Sequence, residues 1–199
     1  MTSVEVQCPE CKKLASAIER FCPDCNHDLG FPNVRQAAAD DEKGALAAKC
    51  RSVETQILSK IYQGDVDAFR RAVRERSSVV ITMKASIARG LTEDPRTAYA
   101  NYEALVGAGL RRPAADENAR RRTAVMGLLF GSYGAEIRYG NLALANEGLP
   151  SYGDVACRMR PETIRQRTSF LWCNSFQIAG RMKPGDPIPI GLRSTWENR

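Results

Sequence analysis

The sequence predicts an α+β protein: a small cysteine-rich module, a helical linker region and a mixed α+β domain. Two closely spaced cysteine pairs stand near the N-terminus, and a run rich in Ala, Glu, Lys, Arg and Gln follows them. Beyond that run, short β-branched or alternating segments are mixed with helical patterns without regular alternation, which favours α+β over α/β. We therefore expect three parts, residues 1–32, 33–76 and 77–199.

The N-terminal module contains two Cys-x-x-Cys pairs separated by ten residues. Two residues between cysteines allow a tight turn to direct both sulfurs at one ion, and the proline in each spacer favours such a turn. Zn²⁺ prefers four tetrahedral ligands, which two such pairs supply. The segment up to Gly30 resembles a zinc ribbon, and its predicted ligands are Cys8, Cys11, Cys22 and Cys25.

Four thiolates leave no open position on zinc, so the metal is predicted to fold the module and to do no chemistry. His27, the one histidine in the chain, would be a fifth donor and is interpreted as a surface group or a neighbour of the ligands. Zinc ribbons serve nucleic-acid binding, protein docking and structural capping. The residues around the cysteines do not choose among these roles.

The linker region is predicted to be helical from about residue 35 to residue 76. Its apolar residues recur at helical spacing and form one face: Leu46, Cys50, Val53, Ile57 and Ile61. We expect this face to pack in a core and to bury the thiol of Cys50. A coiled-coil dimer is the alternative, although the repeat covers few heptads.

The C-terminal domain is predicted to contain three strands. Ser77–Met83 is a short β-branched run, and Val155–Met159 alternates as a half-buried strand, with Cys157 on its apolar side. Thr168–Ile178 is interpreted as a further strand, which includes Cys173. A lone strand cysteine without a histidine partner indicates packing and not a catalytic nucleophile.

The composition indicates a cytoplasmic protein with a modest basic excess. The formal net charge is +6, no apolar run is long enough for a membrane span, and the N-terminus lacks the features of a signal peptide. Arginine forks suit phosphate, so the arginine clusters are candidate contacts for nucleic acid or a protein partner, with a solvated surface as the alternative. The two clusters are Arg111, Arg112, Arg120, Arg121 and Arg122, and Arg158, Arg160, Arg165 and Arg167.

One stretch, Ser151–Ser175, resembles a segment of bacterial toxin-like and ADP-ribosyltransferase-like domains. The resemblance covers about 25 residues and consists of a Tyr-Gly pair, an alternating strand, an Arg-Thr pair and a closing Asn-Ser pair. These are Tyr152-Gly153, Val155–Met159, Arg167-Thr168 and Asn174-Ser175. The resemblance implies NAD as a cofactor and a setting in a bacterial toxin or defence effector.

The same resemblance implies an arginine or histidine on the first strand and a late glutamate that stabilises the ribose cation. The first strand offers Thr82, Met83 and Lys84 instead, and the last glutamate is Glu197. Either the chain stops before a catalytic strand, so that 77–199 is incomplete, or the domain is degenerate. The alternative function is a non-enzymatic zinc-ribbon protein that binds nucleic acid or a protein partner through its arginines.

Overall fold

The computed structural model describes residues 5–58, 63–94, 96, 99–109, 117–145, 147–180 and 188–199. Within these residues it contains eight α-helices and seven β-strands, and the strands form three small antiparallel sheets. The predicted α+β class is therefore confirmed. The boundaries after residues 32 and 76 stay predictions, and hydrogen bonds cross both of them.

The N-terminal module is a short hairpin followed by a second turn. Strands β1 (Glu5–Gln7) and β2 (Leu14–Ser16) pair in antiparallel register. An isolated bridge between Phe21 and Asp28 closes the second turn. Both turns therefore have their flanking backbone fixed by strand-type hydrogen bonds.

Helix α1 (Pro32–Ala38) packs across a sheet formed by the opposite end of the chain. Its first residue is a proline, which suits a position where the backbone N–H has no partner within the helix. The sheet pairs β6 (Ser169–Leu171) with β7 (Arg193–Thr195). The amide nitrogen of buried Asn33 donates to the Ser169 hydroxyl at 3.0 Å. The predicted linker region thus begins inside the body of the protein.

Helices α2 (Asp40–Leu58) and α3 (Gln63–Arg76) confirm the predicted helical character for the described part of the linker region, which omits residues 59–62. Their packing differs from the expectation. Cys50 is exposed, and Val53 and Ile57 are 41% and 37% exposed. For these three residues the prediction of core packing, and of a buried Cys50 thiol, is therefore wrong, whereas Leu46 is half-buried. The last member of this face, residue 61, lies outside the described residues.

The exposure of this face follows from how α2 rests on the body. The backbone of Ala45 lies so close to Gly191 that a Cβ on that glycine would sit 2.8 Å from the Ala45 carbonyl carbon. The Lys49 ammonium donates to the carbonyl oxygen of Gly191 at 3.0 Å. Beyond Lys49, residues 50–57 are exposed apart from half-buried Glu54, and α3 buries no residue. The second half of α2 therefore extends away from the core, whereas α3 lies at the surface with its C-terminal end held by a hydrogen bond from Arg199 to the Arg74 carbonyl.

The strand predicted in residues 77–83 is confirmed as β3 (Ser78–Met83), the centre of a three-stranded sheet. Strands β4 (Asn141–Ala143) and β5 (Val155–Arg158) flank it in antiparallel register. The alternation predicted for β5 is also confirmed, with half-buried and exposed residues in turn: Val155 and Cys157 against Ala156 and Arg158.

The remaining helices are α4 (Ala85–Glu93), α5 (Tyr102–Gly107), α6 (Glu117–Phe130), α7 (Pro161–Ile164) and α8 (Ser175–Ala179). The main core lies where α6 meets α8 and the segment before β7. Its buried members are Val125, Met126, Leu129, Phe130, Ile178 and Leu192. Among the described helices, none combines the length and apolar character needed to cross a lipid bilayer.

The predicted strand Thr168–Ile178 is only partly correct, because it ends at Leu171 and a helix follows. The side chain of Asn174 accepts a hydrogen bond from the Phe176 N–H at 2.9 Å. Such a cap satisfies a backbone donor that a helix start leaves free, and it turns the chain into α8.

Candidate metal centre

The four predicted ligands come together at the ends of the two N-terminal turns. The Sγ atoms of Cys8, Cys11, Cys22 and Cys25 all lie within 4.8 Å of one another. The Cys8–Cys25 and Cys11–Cys22 sulfur pairs are each 3.6 Å apart. Four sulfurs bound tetrahedrally at about 2.3 Å from zinc would be about 3.8 Å apart. The group can therefore hold a metal ion, and its donors and spacing fit zinc.

The two Cys-x-x-Cys turns share one backbone arrangement. The Lys12 N–H donates to the Cys8 carbonyl at 3.0 Å, and the Asn26 N–H donates to the Cys22 carbonyl at 2.8 Å. Lys12 and Asn26 both have positive φ, 63° and 60°, which residues other than glycine adopt rarely. Each turn thus holds an uncommon conformation that places its second cysteine beside its first.

Backbone N–H groups also aim at the sulfurs. The N–H of Cys25, helped by that of Asp24, lowers the pKa of the Cys22 thiol to about 7 against the effect of burial. At Cys25 the N–H of His27 acts to lower the pKa, but burial and the other sulfurs outweigh it and raise the pKa to about 12. Without a cation the four sulfurs cannot all be thiolates at neutral pH, so binding of a metal would release protons.

The centre is buried on one side and open on the other. Cys8 and Cys22 are buried, whereas Cys25 is exposed. His27 is half-buried and lies outside the ligand group that the described residues form. Its carbonyl accepts the Cys22 N–H at 2.9 Å. His27 therefore supports the ligands through its backbone, in line with its interpretation as their neighbour.

Arg35 of helix α1 joins the N-terminal module, residues 5–30, to the rest of the described structure; we call these two parts the ribbon and the body. Its Nη2 donates to the carbonyl oxygens of Ala17 and Glu19, both at 2.8 Å. Its Nη1 donates to the carbonyl of Leu29 at 2.6 Å. Burial lowers the pKa of this guanidinium. A single cation on α1 thus gathers backbone from both halves of the ribbon.

A second contact joins the ribbon to the turn after α6. Gly131 has a φ of 56°, and a Cβ there would lie 2.5 Å from the Ile18 side chain. Arg20 lies over the rings of Phe21 and Phe31, at 4.9 and 4.5 Å from their centroids. The metal centre is therefore set into the rest of the structure through its non-cysteine residues.

The members of the two predicted arginine clusters differ in whether they have partners in the structure. Arg165 pairs with Glu197 at 2.9 Å, and Arg167 donates back to the carbonyl of Thr163. Arg158 and Arg160 are exposed and have no ionic partner within the described part of the chain. In the first cluster Arg120 and Arg121 are exposed. Positions 111 and 112 lie outside the described residues, and Arg122 is described only as part of α6.

The segment that resembles ADP-ribosyltransferase-like domains is divided between two parts of the fold. Tyr152 and Gly153 line an open groove of about 420 Å³ with Lys84 and Asp154. The Arg167-Thr168 and Asn174-Ser175 pairs instead flank the other sheet, at the two ends of β6. The groove therefore lies where the Tyr-Gly pair and the start of β5 meet the end of the predicted first strand, and only the Arg-Thr and Asn-Ser pairs lie elsewhere.

The cysteines outside the ribbon do not form a second centre among the described residues. Cys157 is half-buried on β5, opposite Ile81 of β3. Cys173 packs against the main core, as its interpretation as a packing residue requires. Cys50 is exposed on α2.

Two residues with structural roles were not singled out from the sequence: Arg35, and Glu42, whose buried carboxylate accepts the Leu192 and Arg193 N–H groups. The partners of Glu42 lie about 150 residues away and those of Arg35 lie outside its helix, and no local pattern marks such contacts. No protein-family model, curated protein or solved structure matches this chain.

Proposed function

We propose that this chain is a structural-zinc protein that binds single-stranded nucleic acid on a surface shared by helix α2 and the C-terminal domain. A closed set of four sulfur donors supports a structural role for zinc, because no position remains for substrate. The metal would hold the two turns, and Arg35 binds the segments that follow them to α1. The binding role belongs to another surface.

The observation that carries the nucleic-acid proposal is a cation over an exposed tryptophan. Trp172 is 50% exposed, and the Lys49 ammonium lies 4.5 Å from its ring centroid. Phe176, which follows Trp172 by four residues, is half-buried, and the Arg121 guanidinium of α6 lies 5.6 Å from its ring centroid. We call these four residues the aromatic–cationic surface.

This combination suits single-stranded nucleic acid. Aromatic rings stack on bases of any sequence, and cations beside them attract the phosphates. Trp172 and Phe176 are four residues apart, so their Cα atoms lie at most about 14 Å from each other. That distance corresponds to a few nucleotides of an extended strand. Exposed Arg120 adds charge next to Arg121, and the net charge of +6 favours the same ligand.

Fluorescence anisotropy with a labelled single-stranded oligonucleotide tests this proposal. The Trp172→Ala variant is expected to bind about ten-fold more weakly, because stacking contributes roughly 1–3 kcal/mol per base. Tyr152→Ala is the matched control, since it removes another exposed ring. Arg121→Ala should weaken binding more than Arg89→Ala, which removes the same charge from α4.

The binding should also weaken steeply as salt is raised, because contacts to phosphate release counterions. Absence of binding by the zinc-loaded wild type at low salt would contradict the proposal. Equal losses in Trp172→Ala and Tyr152→Ala would contradict the location.

The groove of Lys84 and Tyr152 favours NAD binding as a second candidate function. It combines a cation, hydroxyl groups of Ser86 and Ser151, and an exposed aromatic ring. A dinucleotide offers phosphates to the cation and a ring for stacking. Under this second candidate function, NAD is the proposed cofactor. ADP-ribosyl transfer is then a further proposal that depends on NAD binding.

Isothermal titration with NAD tests the second candidate. Heat of binding that Lys84→Ala and Tyr152→Ala both diminish would support it, with Lys43→Ala, at an exposed position on α2, as a control of equal charge. Absence of binding at millimolar NAD would remove both the cofactor and the implied transferase activity.

A further inference from the structure

One face of helix α3 carries a stripe of four residues whose side chains differ in charge and size from one end to the other. The stripe consists of Asp65, Phe69, Ala72 and Arg76, at spacings of four, three and four. Residues at these spacings share one face of a helix. Phe69 is 62% exposed, and α3 buries no residue in the protein. An acidic, an aromatic, a small and a basic side chain thus follow one another on one face, where Ala72 is half-buried and the other three are exposed.

The charges at the two ends of this stripe are available for an external partner. Within the described part of the chain, neither Asp65 nor Arg76 takes part in an ion pair or a side-chain hydrogen bond. Other charges on α3 are already used: Arg70 pairs with Asp67 on its own helix and with Glu54 of α2. The free charges therefore coincide with the stripe that carries the exposed ring.

The stripe is complementary to itself when two helices run antiparallel. The midpoint between Asp65 and Arg76 is also the midpoint between Phe69 and Ala72. A two-fold axis through that point would place Asp65 opposite Arg76 of a second copy, and Phe69 opposite its Ala72. Both charge pairs and both ring-to-small contacts would form at once, about 16 Å apart at the ends. A C₂ interface requires this kind of self-complementarity.

We propose that α3 forms the seam of a two-fold homodimer of this chain. A phenylalanine facing an alanine lets helices approach to the usual 8–10 Å separation, as a knob enters a hole. The seam buries one helix face, well below the roughly 800 Å² per partner of a standard stable interface. The dimer is therefore reversible, with a Kd on the order of 10–100 µM. It does not depend on nucleic acid or NAD.

Charge exchange between two variants provides the test. Asp65→Arg places two arginines on the stripe, and Arg76→Asp places two aspartates on it. Each variant alone would face like charges across the axis and should remain monomeric, whereas an equimolar mixture should form a heterodimer. Sedimentation equilibrium of the zinc-loaded chain measures the self-association of each variant and the association of the mixture. The concentrations run from about 5 to about 500 µM and so bracket the expected Kd.

Two further variants locate the interface. Phe69→Ala should weaken wild-type dimerisation at least ten-fold, while Arg71→Asp, a charge reversal on exposed α3 surface off the stripe, should leave it unchanged. Far-UV circular dichroism confirms that each variant keeps its helices. A wild-type chain that is monomeric at every concentration overturns the proposal. So does a dimer that survives Phe69→Ala, or a mixture of the charge variants that does not associate.

Discussion

The carboxylate of Glu42 accepts a hydrogen bond from the backbone N–H of Arg193, with 2.6 Å between nitrogen and Oε1. The same oxygen accepts the Leu192 N–H at 2.8 Å, and Oε2 lies 3.7 Å from the Arg193 guanidinium. Both side chains are buried. Burial lowers the pKa of Arg193, and the charge of Glu42 acts against that effect. The contact ties the first turn of α2 to β7.

Replacing Glu42 by alanine is expected to destabilise the protein by about 3–5 kcal/mol. The change leaves a buried guanidinium without its counter-charge and two buried N–H groups without an acceptor. Urea unfolding followed by tryptophan fluorescence measures the loss. Glu75→Ala, which removes an exposed carboxylate from α3, should change stability by less than about 0.5 kcal/mol. Similar effects in the two variants would refute a special role for Glu42.

Replacing Cys22 by serine is expected to abolish metal binding and to loosen the ribbon while the body stays folded. Hydrogen exchange should accelerate across residues 5–30, where the metal holds the turns. The two tryptophans, Trp172 and Trp196, lie outside the ribbon and report on the body. Their unfolding should shift by about 1–3 kcal/mol, because Arg35 loses its carbonyl partners.

The control for this prediction is Cys50→Ser, which changes an exposed cysteine outside the metal group. Metal analysis by mass spectrometry should give one zinc per chain for wild type and Cys50→Ser, and none for Cys22→Ser. A Cys22→Ser protein that keeps its zinc and its exchange protection would show that the four cysteines are not the site.

Two glycine substitutions are expected to act in opposite directions. A Cβ on Gly153, where φ is 153°, would lie 2.2 Å from the carbonyl carbon and oxygen of Met83. Gly153→Ala should therefore cost about 1–3 kcal/mol or more, since backbone must move. A Cβ on Gly127, inside α6, meets nothing within 4 Å. Gly127→Ala should stabilise the helix by about 0.5–1 kcal/mol. Urea unfolding measures the free energy of unfolding of both variants, and changes of the same sign in the two would contradict this contrast.

The Glu197 carboxyl is expected to titrate below its ordinary value. A hydrogen bond from Arg165 lowers the pKa of Glu197 from 4.5. The folded state thus favours the ionised form, so this contribution to stability is complete above pH 4.5 and is lost as the pH falls through the lower folded pKa. It should be small, because the pair is exposed.

Nuclear magnetic resonance of the carboxyl carbon measures this pKa directly. Arg165→Gln should return it toward the ordinary value, and Arg160→Gln, which removes an exposed arginine without an ionic partner in the described structure, should not. Identical titrations in wild type and Arg165→Gln would show that the ion pair does not form in solution.

The parts of the fold that the sequence predicted correctly depend on neighbours in the chain. Two Cys-x-x-Cys turns bring four sulfurs together because each turn is closed by its own backbone hydrogen bonds. The strands β3 and β5 were recognisable because β-branched composition and alternation reflect a half-buried sheet. The α8 helix was missed because the Asn174 cap competes with a strand pattern that its neighbours continue.

The exposed face of α2 shows what such patterns leave open. The same helical spacing of apolar residues is compatible with core packing and with a solvent-facing or dimer-forming surface. Only the position of α2 on the body shows that its second half projects beyond Lys49. Periodicity identifies a helix and its apolar side, and the partner of that side depends on the rest of the chain.

By itself the sequence determined the mixed α+β class, the helical region and a group of four cysteines able to hold a metal. The tertiary structure decided where the ribbon sits, through Arg35, and how the two ends of the body join, through Glu42. It also decided which apolar and basic residues remain at the surface. The physical reason is distance along the chain. A turn closes within a few residues at low entropic cost, whereas contacts across about 150 residues form only when the whole chain folds.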